Sequence, residues 1–118
     1  MTIAEAIANI DAIKPNAYTT TEKIKWLSTL DGRIKYLICD NYTEEVEWEE
    51  YTDTTEVLLV PAPWDNIYEY YLAACIDRSN DEIDLYNNDI ALYNSVLSEY
   101  RNYYNRTNEH KREAMRYK

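Results

Sequence analysis

The chain has 118 residues, enough for one domain with a modest core, and it carries a net charge of −10 with 13 tyrosines, 3 tryptophans and no phenylalanine. Residues 40–99 hold sixteen acidic groups against one basic group, Arg78. Such an acidic segment repels phosphate backbones and disfavours ordinary nucleic-acid binding, and a single glycine excludes a glycine-rich phosphate-binding loop.

The first forty residues predict two helices. Thr2 is placed to cap a short helix that Pro15 brings to an end. The apolar face of this helix would hold Ile3, Ile7 and Ile10. Thr19 and Glu22 have capping-box spacing at the start of the second helix. Its stripe contains Ile24, Leu27, Leu30, Ile34, Leu37 and Ile38. Gly32 lies inside this stripe and marks a kink, a packing contact or a break.

Residues 41–56 predict an acidic loop, and the pattern permits one short strand near residues 57–60. Pro61 and Pro63 end this apolar run. A third helix would start at Trp64 and Asp65, with Asp65 as its N-cap or as an anion in its first turn. Its apolar positions are Ile67, Tyr68, Tyr71, Leu72, Cys75 and Ile76.

The last helix has the most regular pattern. Asn80 is the favoured N-cap, and Ile83 is the first expected core residue. Steps of three and four then give a seam of Ile83, Tyr86, Ile90, Tyr93, Leu97, Tyr100 and Tyr104. A looser stripe contains Leu85, Leu92, Val96 and Tyr103. The prediction is an all-α fold of about four helices with a long C-terminal helical hairpin, in which residues 1–108 form one domain and residues 109–118 a charged tail that is frayed or ordered by a partner.

The sequence offers no constellation typical of an enzyme. His110 stands in a charged tail without orienting partners, and Cys39 and Cys75 have no metal-ligand spacing and predict buried thiols. Most carboxylates fall on the polar side of the apolar stripes, as in a solvated face. We therefore predict no enzyme, no cofactor and no metal. A catalytic function would require a buried cluster of carboxylates.

The abundance of tyrosine predicts a contact surface, because tyrosine and arginine are enriched at the centres of interfaces. Two alternatives stay open: compositional drift in an A/T-rich genome, and tyrosines at the core margin with their hydroxyls in water. The candidate interaction residues are Tyr70, Tyr100, Tyr103, Tyr104, Arg106, Lys111, Arg112 and Arg116. No signal peptide and no apolar run of ~18–20 residues is present, so we expect a chain that stays in the cytoplasm where it is made.

One block of the chain resembles a known family. The block begins with LLVPAPWD at residues 58–65 and continues through Tyr68 to Leu72, Ile76-Asp77, Tyr86 to Asn88, Tyr93-Asn94 and Tyr104 to Thr107. It is similar to head–tail connector proteins (adaptor or head-completion proteins) of long-tailed phages and prophages of Gram-positive bacteria. The segment from Trp26 to Arg33 fits the second helix of that family.

The resemblance implies a function and partners. Such adaptors assemble into a ring beneath the portal protein, extend the DNA exit channel, and present a surface to the next neck or tail protein. They bind no cofactor and catalyse nothing. We would expect the chain in the host cytoplasm during assembly and then in the neck of the virion, with its basic C-terminal segment toward the portal. The alternative, from charge alone, is an acidic phage-encoded inhibitor that mimics DNA and binds a host protein.

Overall fold

The computed structural model describes residues 1–38 and 50–116, and from residue 108 onward the backbone alone. Within these residues the chain forms four α-helices, α1 (Ile3–Ile13), α2 (Thr20–Leu37), α3 (Ile67–Ser79) and α4 (Ile83–Arg116), and a 3₁₀ turn at Trp64–Asn66. The prediction of an all-α fold with four helices, the last one the longest, is confirmed.

α1 begins with a complete capping box. Thr2 Oγ1 accepts a hydrogen bond from the Glu5 N–H at 3.2 Å, and the Glu5 carboxylate accepts one from the Thr2 N–H at 3.2 Å. The helix ends at Ile13, because Lys14 takes an extended conformation before Pro15. The buried face holds the predicted residues Ile3, Ile7 and Ile10.

α2 begins after Thr19, whose side chain accepts a hydrogen bond from the Glu22 N–H at 3.2 Å. The helix runs unbroken through Gly32, so the break is wrong, and Gly32 is buried, as a packing contact requires. The core residues of this stripe are Leu27, Leu30, Ile34 and Ile38. Leu37 is 66% exposed, and its predicted place in the core is wrong. Ile34 and Ile38 are one helical turn apart on the core face, which leaves Leu37 at the flank.

Residues 50–60 pass beside the start of α1. An isolated antiparallel bridge joins Thr2 and Val57, and the Leu58 N–H donates to the Met1 carbonyl at 2.9 Å. Leu58 and Val60 are buried, whereas Val57 is exposed. In the described residues the short strand that the pattern permitted does not form, and a single β-bridge stands in its place. Residues 39–49, with Cys39 and most of the predicted acidic loop, lie outside the described residues.

The two ends of α3 correct two predicted caps. Asp65 lies in the 3₁₀ turn, and Asn66 is the residue that precedes α3, so Asp65 is not the N-cap of α3. It is instead an anion in the first turn of the 3₁₀ segment, which agrees with the other predicted alternative. Asn80 closes α3 instead of opening α4. Asp81 follows with φ of 59°, a left-handed conformation that aspartate tolerates better than most residues, and the chain turns within three residues into α4.

α4 packs along α3 as the predicted helical hairpin. The second half of the seam lies against the core: Tyr100 is buried in it, and Tyr93, Leu97 and Tyr104 are half-buried against it. Tyr86 and Ile90 are also half-buried. Ile83 is wrong as a first core residue, because it is exposed at the tip of the hairpin, where α3 has already ended. Leu85 and Leu92 of the second stripe are exposed as well, whereas Val96 and Tyr103 pack against the core. The helical backbone continues to Arg116, through most of the segment predicted as a separate tail.

The hydrophobic core lies where α1, α2 and α3 meet. Leu58 and Val60 close it on one side, and Tyr100 reaches it from α4. The long last helix gives the molecule an extent of 51 Å in its longest direction. Across residues 1–38 and 50–116, no helix combines the length and the apolar character needed to cross a membrane.

Candidate interaction site

Four aromatic side chains form a cluster between the 3₁₀ turn and the second half of α4. The Trp64 ring centroid lies 4.3 Å from that of Tyr103 and 5.8 Å from that of Tyr100, and Tyr100 lies 6.0 Å from Tyr104. We call these four residues the aromatic cluster. Tyr100 is buried, and the other three are half-buried, so the cluster is anchored in the core and also reaches the surface. Contacts of this kind contribute about 0.5–1.5 kcal/mol per pair beyond burial.

The local sequence explains why these rings meet. Residues 100, 103 and 104 are three or four positions apart and therefore lie on one face of α4. The 3₁₀ turn precedes α3, and α3 packs along α4, so the turn carries Trp64 to that face. Sequence reasoning used Trp64 only to mark a helix start. The predicted hairpin contained the signal for the contact, because it returns the second half of α4 to the beginning of α3.

The predicted interaction residues are only partly brought together. Tyr100, Tyr103 and Tyr104 belong to the aromatic cluster, and Arg106 is exposed one turn or less beyond it on α4. Tyr70 is half-buried on α3 and makes no ring contact with the cluster in the described residues. The basic residues of the tail follow on the helical backbone of α4, in the part where the structure describes no side chains: Lys111, Arg112 and Arg116.

A cleft of about 210 Å³ runs between α2 and α4, a short distance along α4 from the aromatic cluster. Its lining residues are Arg33, Ile34, Leu37, Ile38, Tyr93, Asn94, Leu97 and Arg101. Burial raises the pKa of Tyr93, while the nearby guanidinium groups of Arg33 and Arg101 act in the opposite direction. Tyr93 also packs on Tyr71, with ring centroids 5.3 Å apart. The cleft therefore joins an apolar floor to two positive charges.

Asp31 is a buried carboxylate that sequence reasoning did not single out. Its oxygens accept hydrogen bonds from the Tyr68 hydroxyl (2.6 Å), the Tyr51 hydroxyl (2.5 Å) and the Leu59 N–H (2.9 Å). The Tyr68 hydroxyl in turn accepts from the Val60 N–H at 2.7 Å. Burial raises the pKa of Asp31, and the hydrogen bonds from the two phenols oppose the rise.

The Asp31 network fastens residues 51–60 to the middle of α2. Its donors come from the chain itself, and the carboxylate is fully buried, so the arrangement serves to position backbone rather than to receive a ligand. The sequence contained a signal for it. Position 31 is four residues after Leu27 and therefore shares its buried helix face.

A second polar network joins three helices. Lys14, just after α1, forms an ion pair with the buried Asp77 of α3 and lies 3.2 Å from an oxygen of Asp89 on α4. Partial burial lowers the pKa of Lys14, but the two carboxylates raise it by more. Burial raises the pKa of Asp89, as does the neighbouring Asp77, while Lys14 opposes the rise.

The surroundings of this second network limit its chemistry. Asp77 Oδ2 is buried without a hydrogen-bond partner among the described residues, and Asp77 borders a cleft of about 140 Å³ at the hairpin turn. Pockets for small molecules are usually about 300–1,000 Å³, so this cleft is smaller than a typical substrate pocket. In the parts of the chain that the structure describes, no group of three or more His, Cys, Asp or Glu side chains is arranged to hold a metal ion.

Of the two cysteines, the structure describes only Cys75. Cys75 is a free, half-buried thiol on α3, and burial raises its pKa to about 11. Such a thiol is protonated at neutral pH and is a poor nucleophile. The predicted burial of Cys39 falls outside the described residues.

No family model matches the chain, and neither a curated protein nor a solved structure matches it.

Proposed function

We propose that this chain is a head–tail connector subunit of a long-tailed phage, which forms a ring under the portal protein and links the DNA-filled head to the tail. It acts through surface contact, without catalysis or a cofactor. The resemblance of residues 58–107 to that family supports the proposal. The observation that carries it is the aromatic cluster, which lies at the surface beside Arg106.

The aromatic cluster has the properties of a binding surface. Tryptophan, tyrosine and arginine dominate the residues that contribute most to protein interfaces, and here they are adjacent. Trp64 packs on Tyr100 and Tyr103, so its position is fixed before a partner arrives, and little side-chain entropy is lost on binding. The half-buried tyrosines can give their hydroxyls to a partner while their rings stay packed.

The distribution of charge also fits the proposal. Residues 100–118 hold six basic and two acidic groups, and the helical backbone of α4 carries them away from the core to Arg116. A basic helical end can dock on an acidic protein surface. The acidic residues 40–99 would repel DNA that passes through the ring, so that DNA does not adhere to the channel wall.

The test compares two charge reversals in binding to the portal protein encoded nearest to this gene. Arg106→Glu places a negative charge beside the aromatic cluster, and we expect at least about tenfold weaker binding. Arg78→Glu makes the same change on the exposed last turn of α3 and should leave the affinity unchanged. If the two variants bound the portal protein with equal affinity, the aromatic cluster would not be part of the portal contact. Absence of any complex with the unaltered chain would count against the connector function itself.

A second candidate function follows from the exposed carboxylates at the start of α4 and the sixteen acidic groups in residues 40–99. An acidic inhibitor that mimics DNA would bind a host nuclease or DNA-binding protein tightly, and salt would weaken that binding strongly. A pull-down from host lysate at low salt tests it. Gene neighbourhood separates the two functions at once, because portal and capsid genes favour a connector and an early regulatory cluster favours an inhibitor.

A further inference from the structure

The cleft between α2 and α4 carries positive charge that the rest of the described chain does not neutralise. Arg33 and Arg101 are exposed and line this cleft, and neither forms an ion pair with a described residue. The ion pairs that the structure shows use Lys14 and Lys23 instead. Among the residues that the structure describes, no carboxylate lines the cleft. In a protein with a net charge of −10, two unpaired arginines over an apolar floor indicate a site for an acidic partner.

The first turn of α4 has the opposite character. Ile83 is 68% exposed and Leu85 is 50% exposed, so two large aliphatic side chains project from the tip of the hairpin. Asp81, Glu82 and Asp84 surround them, and all three are exposed. This tip combines apolar side chains with carboxylates, so it is complementary to the apolar floor and the two arginines of the cleft.

We propose that the cleft between α2 and α4 binds the first turn of α4 from a second copy of this chain. The aliphatic side chains of the tip would contact Leu37 and Leu97, and its carboxylates would pair with Arg33 and Arg101. A drug-sized molecule needs a pocket of about 300–1,000 Å³, whereas this cleft of about 210 Å³ suits only one or two side chains of a protein segment. The overall negative charge opposes a nucleic acid as the occupant.

The two surfaces lie at different places on the same molecule. Ile83 and Leu97 are fourteen positions apart on α4, which is roughly 20 Å along a helix. The contact is therefore heterologous: each copy gives its tip to one neighbour and its cleft to another. Repeated contacts of this kind close into a ring or extend into a filament. The inference rests on the proposed function, whose ring it supplies with a subunit contact, and it uses residues separate from the aromatic cluster.

The experiment reverses the charges on each side of the contact. The cleft variant is Arg33→Glu with Arg101→Glu, and the tip variant is Glu82→Lys with Asp84→Lys. Asp81 is left unchanged because its left-handed backbone suits aspartate. The control for the cleft variant is Lys25→Glu, at an exposed position on α2 that lines neither the cleft nor the tip. The control for the tip variant is Glu22→Lys, which also replaces an acidic residue in the first turn of a helix. Circular dichroism confirms that each variant folds.

Sedimentation velocity then measures self-association across the soluble concentration range at low and high salt. The unaltered chain should associate, and salt should weaken the association. Each reversed variant alone should associate at least about tenfold more weakly, because like charges then meet across the contact. A mixture of the two variants should regain association, since the reversed cleft then faces the reversed tip. The controls should behave as the unaltered chain.

Three results would overturn the inference: a chain that stays monomeric at every concentration, a cleft variant that associates as strongly as the unaltered chain, or a mixture that does not recover. Binding to the portal protein is measured separately with the same variants. Portal binding combined with unaffected self-association would reject this contact and leave the connector function standing. If the charge reversals changed self-association as expected but the chain did not bind the portal protein, this contact would stand and the connector function would be rejected.

Discussion

Asp31 shows how one side chain can determine the path of a neighbouring segment. Both of its oxygens are used by internal donors, and those donors come from Tyr51, Leu59 and Tyr68. The carboxylate thus holds the segment that contains Leu58 and Val60 against the core. Burying a carboxylate is costly, and among the described residues hydrogen bonds, with no ion pair, offset part of the lost hydration of Asp31.

Replacing Asp31 by asparagine should destabilise the protein by about 1–3 kcal/mol at neutral pH, because the amide nitrogen of asparagine cannot accept a hydrogen bond and one buried donor is left unpaired. Urea unfolding followed by circular dichroism measures the change. Glu99→Gln removes a charge from an exposed position on α4 and should alter the free energy of unfolding by no more than about 0.5 kcal/mol. Equal stability of the two variants would show that the Asp31 network does not hold the segment.

The difference in stability between the unaltered chain and Asp31→Asn should depend on pH in a definite direction. Burial raises the pKa of Asp31 in the folded protein above its ordinary value of 3.8, so the folded state binds a proton that the unfolded chain has released. The stability that this group contributes is fully present below the ordinary pKa and is lost as the pH rises through the raised pKa. The unaltered chain should therefore lose stability relative to Asp31→Asn as the pH rises from about 4 toward neutral. If the free energy of unfolding of the unaltered chain rose with pH relative to that of Asp31→Asn, this account of Asp31 would be contradicted.

At the scale of elements, Lys14 ties the end of α1 to α3 and α4. The ion pair with Asp77 supplies the positive charge that a buried carboxylate needs, and Asp89 adds a second contact from the facing helix. α1 has no other ion pair to α3 or α4 in the described residues. The register of α1 on the helical hairpin therefore depends strongly on this one lysine.

Lys14→Met should destabilise the protein by an amount at the lower end of about 3–5 kcal/mol, because it leaves Asp77 buried without its partner, while the 23% exposure of the Lys14 side chain moderates the effect. The double variant Lys14→Met with Asp77→Leu should recover much of the loss, since an apolar pair can replace a buried ion pair. Lys25→Met on the exposed face of α2 is the control. Thermal unfolding measures all three, and a Lys14→Met protein as stable as the control would refute the role of the ion pair.

The elements that sequence predicted well are those governed by local rules. The capping residues Thr2 and Thr19 and the position of Pro15 set the bounds of α1 and the start of α2, and these are contacts within one turn. Errors arose where the burial of a residue depends on another element. Ile83 fits the seam by spacing, but α3 ends before it can be covered, and Asn80 caps α3 because the hairpin turn begins there.

Some contacts of the candidate sites can be predicted from the spacing of residues along one helix, and the others cannot. Tyr100, Tyr103 and Tyr104 lie on one helix face by their spacing, and the structure brings them together. The contact of Trp64 with Tyr100 and the cleft that Arg33 and Arg101 both line each join positions far apart in sequence. No local pattern encodes such a contact, because it depends on how whole helices pack.

At the scale of the whole molecule, the separation of charge is the dominant feature. Acidic groups gather in residues 40–99 and basic groups in residues 100–118, and the long α4 carries both kinds. A molecule with unlike ends favours ordered contacts between copies and with differently charged partners. The aromatic cluster joins Trp64 of the acidic region to three tyrosines of the basic region, so a partner of the basic end would also reach it.

The central claim is that this chain joins a ring beneath a portal protein, and mass photometry of the two purified proteins tests it most directly. We expect a stable complex that contains one portal ring and several copies of this chain, with a mass that saturates as the chain is added. A portal mass that stays unchanged at every ratio and every salt concentration would contradict the account.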